Sequence, residues 1–357
     1  MTRVRAVAWA SVALLVMSAG AAEREIVIDG PAGKLAGTLL TPDAATAPVP
    51  AIVFITGSGA QDRDEAVFGH RPFKQLADAL AAGGIASLRC DDRGVAKSTG
   101  DFSTATTLDF VRDAKAQLAW LRTQPGIDPH RVGVIGHSEG GLIGALLAGA
   151  SDGGVDFAVL LAPPGIKGRE ILTGQTEDLY RAAHLEAGRV AYAVERHREL
   201  MDAVEAGLDD AALDEALRAL VEAQLELVEK NPPSADRVQA LARAAKPGLL
   251  SPWMRNFISL DPAPSFAACR VPVLAVFGAK DTQVAPSRNV PAIKAACKDA
   301  AVTPEIVVLP GLNHLFQRCA TGLPDEYAKI KSGVEPEVLT LVTDWVTSRA
   351  ASPTPSR

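Results

Sequence analysis

The sequence predicts an α/β fold: a mostly parallel central sheet flanked by helices and carrying a helical insertion. Three observations predict it. Short apolar runs bounded by turn residues recur along the chain, the later runs are almost continuous in Val, Ile, Leu and Ala, and stretches of helical periodicity separate them. Strands buried on both faces read as unbroken apolar runs, and strands that alternate with helices build parallel sheets because a parallel connection needs a crossover. With 357 residues, 48% of them hydrophobic, the chain can bury the core of one large α/β domain with an insertion, or of two ordinary domains.

From the N-terminus, the chain opens with Arg3 and Arg5, an uncharged apolar run from Ala6 to Met17, and the small residues Ala19, Gly20, Ala21 and Ala22. A basic start, an apolar stretch and a small-residue site make a secretory signal. Residues 1–22 are therefore expected to be removed after Ala21 or Ala22, leaving a periplasmic or secreted protein. The run is shorter than the ~20 residues a spanning helix needs, so no stable membrane span is expected after cleavage. The formal charge is -6 with both signs mixed along the chain, which provides no basic stripe for nucleic acid. Cys90, Cys269, Cys297 and Cys319 lack the paired short spacings of a zinc site, and no metal or cofactor is expected. One or two disulfides stay open, with no pairing ranked, and Cys90 reads equally as a small apolar filler ending a strand.

The predicted strands are Glu25–Ile28, Leu35–Leu40, Ala51–Thr56, Ile85–Arg89, Val132–Gly136, Phe157–Leu161, Val271–Phe277 and Ile306–Leu309, with helices at Pro72–Ala82 and Leu108–Arg122. The alternation stops between Gly165 and about Leu250. There Leu213, Leu217, Leu220, Val221, Leu225 and Val228 recur at helical spacing, in a stretch that ends at Pro232-Pro233. The expected organisation is a core of residues 23–164 and 251–349, a helical cap at 165–250, and a Ser- and Pro-rich disordered tail at 350–357.

The chemistry-bearing signal is RVGVIGHSEGGLIGALLAGA, in which Gly136-His137-Ser138-Glu139-Gly140 joins a strand to a helix rich in small residues. This is a nucleophile elbow in its strand-turn-helix setting. Its strained turn exposes the Ser138 hydroxyl, while Gly136 and Gly140 let strand and helix cross closely. A serine needs a base, and the chain has six histidines. His137 is adjacent to the serine and would point away from it. His130 precedes the strand, His184 and His197 fall in the insertion, and His70 opens a helix. His314 follows the last strand in the loop Pro310-Gly311-Leu312-Asn313-His314, at the carboxyl edge of the sheet. Asp281, four residues after Phe277, is the candidate acid to orient it. The chain order Ser138, Asp281, His314 agrees with the scheme in which an elbow serine precedes its acid and then its base.

An oxyanion needs two backbone N–H donors. Glu139, next after the nucleophile, supplies one, and the turn ITGSGAQDRDE supplies the other, chosen as Ser58 with Gly59 as runner-up. Gln61, Asp62, Arg63 and Asp64 in that turn read as a charge network that shapes the loop.

The segments ITGSGAQDRDE, PFKQLADAL, LRCDDRGVAKSTGDF, GHSEGGLIG, SPWMRNFISLDP, GAKDTQV and GLNHLFQ occur in that order. Together they resemble a group of bacterial α/β-hydrolases related to the serine aminopeptidase-like hydrolases and to small carboxylesterases. The resemblance runs from about Glu25 to Trp345 and is weakest in the insertion. It places Ser138, Asp281 and His314 on the family triad. Ala60 departs from a usual proline, and Ala96 from a usual glycine. The resemblance implies hydrolysis of small-molecule carboxylic esters without a cofactor, through an acyl-enzyme. Two other readings are an aminopeptidase or amidase on the same triad and a non-catalytic binding protein of this fold. An aminopeptidase needs a carboxylate for the substrate ammonium, and Glu170, Glu177, Asp178, Glu186 and Glu195 are the insertion's candidates, most of them expected to face water. The oligomeric state is left open.

Overall fold

The structure, a computed structural model, describes residues 21–43, 47–152, 154–229 and 231–350. The expected signal up to residue 20 and the tail from 351 onward lie outside the described residues. The chain begins with an antiparallel pair, β1 (Ala21–Gly30) and β2 (Gly33–Pro42), followed by β3 (Val49–Ile55), α1 (Pro72–Ala82) and β4 (Ala86–Cys90). Next come α2 (Thr107–Arg122), β5 (Ile127–His137), α3 (Glu139–Gly149) and β6 (Ala158–Leu161). The helices α4 (Gly168–Ala182), α5 (Ala187–Ala206), α6 (Asp210–Val228), α7 (Ala235–Leu249), α8 (Pro252–Ser259) and α9 (Ala263–Ala267) then intervene. The chain returns through β7 (Val273–Gly278), α10 (Pro286–Ala296), β8 (Glu305–Leu309) and α11 (Pro336–Ala350).

The 8-stranded sheet has the order β1-β2-β4-β3-β5-β6-β7-β8. The pairs β1·β2 and β2·β4 are antiparallel, and every pair from β4 to β8 is parallel. All residues of β4, β6 and β7 are buried, and β6 and β7 accordingly read as unbroken apolar runs, whereas β4 also buries Ser87 and Arg89. Strand β5 begins at Ile127, earlier than its apolar run, and carries a register irregularity against β3 between Ile127 and Val132. His130 therefore lies within the strand and not before it. Cys90 ends β4 in the core, and all four cysteines are free thiols.

The insertion is helical, as its periodicity predicts. Leu213, Leu217, Leu220 and Val221 of α6 pack with Leu200, Met201 and Val204 of α5 and Val238 and Ala242 of α7 in a second apolar cluster. Each buried Leu or Val there contributes about 1.5–3 kcal/mol. Val228, at the last turn, escapes the pattern and is 68% exposed. The Asp209 carboxylate accepts the N–H groups of Ala211 and Ala212 and starts α6, and Ser234 does the same for α7 through Arg237. Helix α11 reaches Ala350, the first residue of the expected tail.

Ala96, which the sequence resemblance sets apart from a usual glycine, has φ 48°. A left-handed backbone costs an alanine roughly 1 kcal/mol that glycine avoids, so this turn is strained at Ala96.

Candidate active site

Three loops at the carboxyl edge of the sheet build the site. The first is the elbow between β5 and α3, where Ser138 has φ 56° and ψ -116°. Its N–H donates to the carbonyl of Leu161 on β6 at 2.8 Å, and its carbonyl accepts from Leu142 at 3.1 Å. These bonds hold the strained residue. The glycines around it are required. A Cβ on Gly136 would run into the backbone of Gly140, and one on Gly140 into the carbonyls of Ile55 and Thr56 at the end of β3.

The second loop follows β7. Asp281 is buried, and its Oδ1 accepts the N–H groups of Gln283 at 2.8 Å and Val284 at 2.9 Å. Its Oδ2 accepts from Nδ1 of His314 at 2.7 Å. Burial acts most strongly on this carboxyl and would raise its pKa. The His314 charge and hydrogen bond, with the two backbone donors, outweigh burial and hold it below the usual carboxylate range.

The third loop follows β8. Buried Asn313 shapes it by accepting at Oδ1 from the N–H groups of Leu315 and Gln317, at 3.0 and 2.9 Å. Beside it, His314 is buried with Nδ1 bound to Asp281. A donating Nδ1–H leaves Nε2 as the basic nitrogen. Ser138 and His314 line the same cleft of about 350 Å³, together with Ser58 and Glu139.

The loop after β3 carries Ser58, which is exposed at the cleft. Its neighbours form the charge network expected from the sequence. Arg63 binds Asp91 at 2.8 and 3.0 Å and Glu25 at 2.8 Å, Asp64 pairs with buried Arg89, and Asp62 accepts the N–H groups of Asp64 and Ala66. Gln61 alone of that run reaches the cleft.

Asp92 fastens the start of the same loop. It accepts the Thr56 hydroxyl at 2.7 Å and the Gln61 N–H at 3.0 Å. Burial pushes its carboxyl up to about 7 against those two hydrogen bonds, with Glu65 and Glu139 adding to the rise. A carboxyl raised in the folded state stabilises the fold fully below its unfolded value, near 4, and loses that contribution as pH climbs through about 7. Asn can keep both contacts, accepting from Gln61 and donating to Thr56, without the charge. Asp92→Asn is therefore expected to raise Tm at pH 8 by on the order of 5 °C and to leave it unchanged near pH 4. Thermal melts of both proteins across that range check this.

Some of the site is not visible in the sequence. Glu139 is buried, and burial pushes its carboxyl up. The Thr107 hydroxyl at 2.6 Å, the Trp253 indole N–H at 2.9 and 3.0 Å, and the Ser58 hydroxyl satisfy it. The residue after the serine thus ties the elbow to α2, α8 and the loop after β3. On the other wall, Gln175 of α4 donates to Gln283 at 3.3 Å, and Gln283 donates to the Tyr327 hydroxyl at 3.0 Å. Phe68, Trp253, Phe257 and Tyr327 give the cleft an aromatic lining, and among the described residues no Lys or Arg lines it.

The other histidines serve elsewhere. His70 bonds the Ile330 carbonyl at 3.0 Å, and His197 of α5 faces the Thr173 hydroxyl at 3.0 Å, with burial pushing its ring down to about 4. His184 follows α4, just past its Ala183 cap, with φ 56°, and His130 lies on β5. His137 packs its ring on that of His314, with centroids 4.7 Å apart.

Residues 29–311 match the family described as X-Pro dipeptidyl-peptidase (S15 family). The chain belongs to this S15 family. Esterase EstD of Thermotoga maritima is 25% identical over 325 residues, which span 91% of this chain and 67% of that protein. Among solved structures, the Pyrococcus furiosus esterase Pf2001 superposes with a TM-score of 0.55 at 14% identity, covering 93% of this chain and 92% of its own. The α/β hydrolase GrgF from Penicillium sp. sh18 superposes with a TM-score of 0.54 at 16% identity, covering 93% and 100%. At such identities the structural likeness shows the fold, and this S15 member has the fold of the α/β hydrolases.

Proposed function

We propose that the chain is a serine hydrolase that cleaves short-chain carboxylic esters through an acyl-enzyme. One observation carries the reading: Asp281 Oδ2 holds Nδ1 of His314 at 2.7 Å, so Nε2 is the base in a cleft that Ser138 also lines. Ser138 Oγ attacks the ester carbonyl as His314 takes its proton. The N–H groups of Ser58 and Glu139 receive the oxyanion, helped by the N-terminus of α3. The imidazolium of His314, stabilised by Asp281, then protonates the leaving alcohol, and water activated by the same imidazole releases the acid. The aromatic lining and modest volume of the cleft support a small neutral acyl group. The likeness to EstD supports an ester as substrate.

The S15 family description favours a second substrate class, peptides or amides entered from the N-terminus. Such a substrate needs a carboxylate for its ammonium. Four of the five candidate acids of the insertion are otherwise engaged, and the fifth, Glu170, lies outside the cleft. Glu177 and Asp178 bind Arg288, Glu195 pairs with Arg198, Glu186 caps α5, and Glu170 lines a second cavity beside Arg169 and Arg198. In the cleft, Glu65 pairs with His137, and Glu139 already accepts from three side chains. These engagements favour the ester.

Residues 165–250 serve as a cap on a core of residues 23–164 and 251–349. Ile171, Leu172 and Gln175 of α4 in the cleft wall support this assignment. Export to the periplasm or medium rests on the N-terminal pattern of Arg3, Arg5, Ala6 to Met17 and the small residues up to Ala22. Among the described residues no helix is long and apolar enough to cross a membrane.

A panel on the mature protein tests the substrate class. Acetyl to hexanoyl nitrophenyl esters are expected to turn over faster than aminoacyl amides of matched size. Faster hydrolysis of the amides would transfer the assignment to the peptidase class, and no turnover with no covalent labelling of Ser138 would leave only a binding protein.

A further inference from the structure

Glu65 stands in the loop after β3 with φ 51° and is 4% exposed. Its Oε1 accepts the Gly57 N–H at 2.7 Å and faces His137 Nδ1 at 2.9 Å, while its Oε2 is buried without a hydrogen-bond partner. On the other side of the ring, His137 Nε2 lies 3.0 Å from the backbone carbonyl of His314. A carbonyl only accepts, so Nε2 carries a proton. Nδ1 faces an oxygen that already accepts from Gly57, so it donates as well when Glu65 is ionised. Burial opposes a charge on His137, yet Glu65 and the His314 carbonyl outweigh it and hold the ring above its ordinary value.

The contacts of this pair fall on three separate parts of the site. One end grips Gly57, the residue before Ser58. The middle belongs to the residue before Ser138. The other end grips the main chain of His314 itself and packs against its ring, tilted by 45° with centroids 4.7 Å apart. A core histidine with only a packing role would have no need to bond the backbone of the base. Spacing matters here because a misplacement of about 1 Å between reacting groups costs on the order of 100-fold in rate.

We propose that Glu65 and His137 act as one positioning pair, which sets the distance between the oxyanion loop and the histidine loop across the nucleophile elbow. The proposal rests on the serine-hydrolase reading. Neither residue touches the reacting atoms, and both act through Gly57, Ser138 and His314.

Glu65→Gln tests it with nearly unchanged shape. The amide oxygen cannot serve Gly57 and a neutral His137 at once, because a ring protonated at Nε2 for the His314 carbonyl turns a lone pair toward it. One of the three contacts must break. The variant is expected to lose about 10- to 100-fold in kcat on a short ester with KM changed less than about threefold, and its rate of fluorophosphonate labelling at Ser138 falls in parallel. His137→Gln is expected to do the same, and the double variant, which has no unpaired buried charge, to be no slower than either single one. Circular dichroism and thermal melts confirm that each is folded, and if a single variant does not fold the double one carries the test. Folded variants that label and turn over at the wild-type rate, with only a lower Tm, overturn the proposal, as do effects that multiply. The labelling of the wild type separates the two claims: no adduct at Ser138 sinks the hydrolase reading and this proposal with it, whereas equal labelling of wild type and variants sinks the positioning pair alone.

Discussion

Ser138→Ala is expected to lower kcat on short acyl esters by at least about 10⁴-fold, since removal of the nucleophile from a serine triad costs up to ~10⁶. The fold should survive the change. The elbow conformation at φ 56° strains alanine no more than serine, and the bonds to Leu161 and from Leu142 use main-chain atoms that the substitution keeps. Activity assays beside circular dichroism check both halves of the expectation. Residual turnover within about tenfold of wild type, in a folded variant, would mean that another group attacks the ester.

Asp281→Asn is expected to cost about 10⁴-fold in kcat, with KM little changed. The two oxygens of Asp281 do different work. Oδ1 accepts from Gln283 and Val284 and holds the loop, and the amide oxygen of Asn can keep both bonds. Oδ2 accepts from His314 Nδ1 at 2.7 Å, and there Asn presents an NH₂ group. Two donors cannot face each other, so the ring turns its Nδ1 lone pair to the amide and carries its proton at Nε2. In that tautomer Nε2 cannot take the serine proton. The expected signature is a nearly inactive enzyme with a normal thermal midpoint at neutral pH. A loss of activity matched by a loss of stability would instead assign Asp281 to holding the loop.

Both substitutions concern residues whose positions at the site are legible in the sequence and whose roles are proposed, and the physical reason for that legibility is the same for each. A serine on a strained strand-to-helix turn needs glycines around it, so Gly136 and Gly140 mark it locally. An acid and a base that act at the carboxyl edge of a parallel sheet must stand just after apolar strands, as Asp281 follows β7 and His314 follows β8. Strands β6 and β7 are legible because burial on both faces leaves them without polar residues, and α6 because its buried face repeats Leu213, Leu217, Leu220 and Val221. Where burial is one-sided or absent the sequence says less. The start of β5 at Ile127 includes exposed Pro129 and His130, and no apolar run announces it.

The supports of the site are not legible. Glu65 and His137 are 72 residues apart, and Trp253 and Glu139 are 114 apart. No local pattern marks two polar groups that meet only after the sheet has formed. Glu65 follows a run that reads as a charge network shaping the loop, and nothing in that run marks its own carboxylate as buried against the elbow. His137 reads only as a side chain turned from the serine, which leaves its bond to the His314 main chain without a signal. The cleft wall of Gln175, Gln283 and Tyr327 is hidden for the same reason, since amide and phenol side chains carry no period.

Ser138 is held to be an activated hydroxyl, made so by His314 and Asp281. Mass spectrometry of the mature protein after brief exposure to a fluorophosphonate measures this without choosing a substrate, because only an activated serine reacts rapidly. One adduct is predicted, on the peptide containing Ser138, absent in Ser138→Ala and formed far more slowly in Asp281→Asn. No adduct on that peptide, or one formed as fast when Asp281 is replaced, would contradict it.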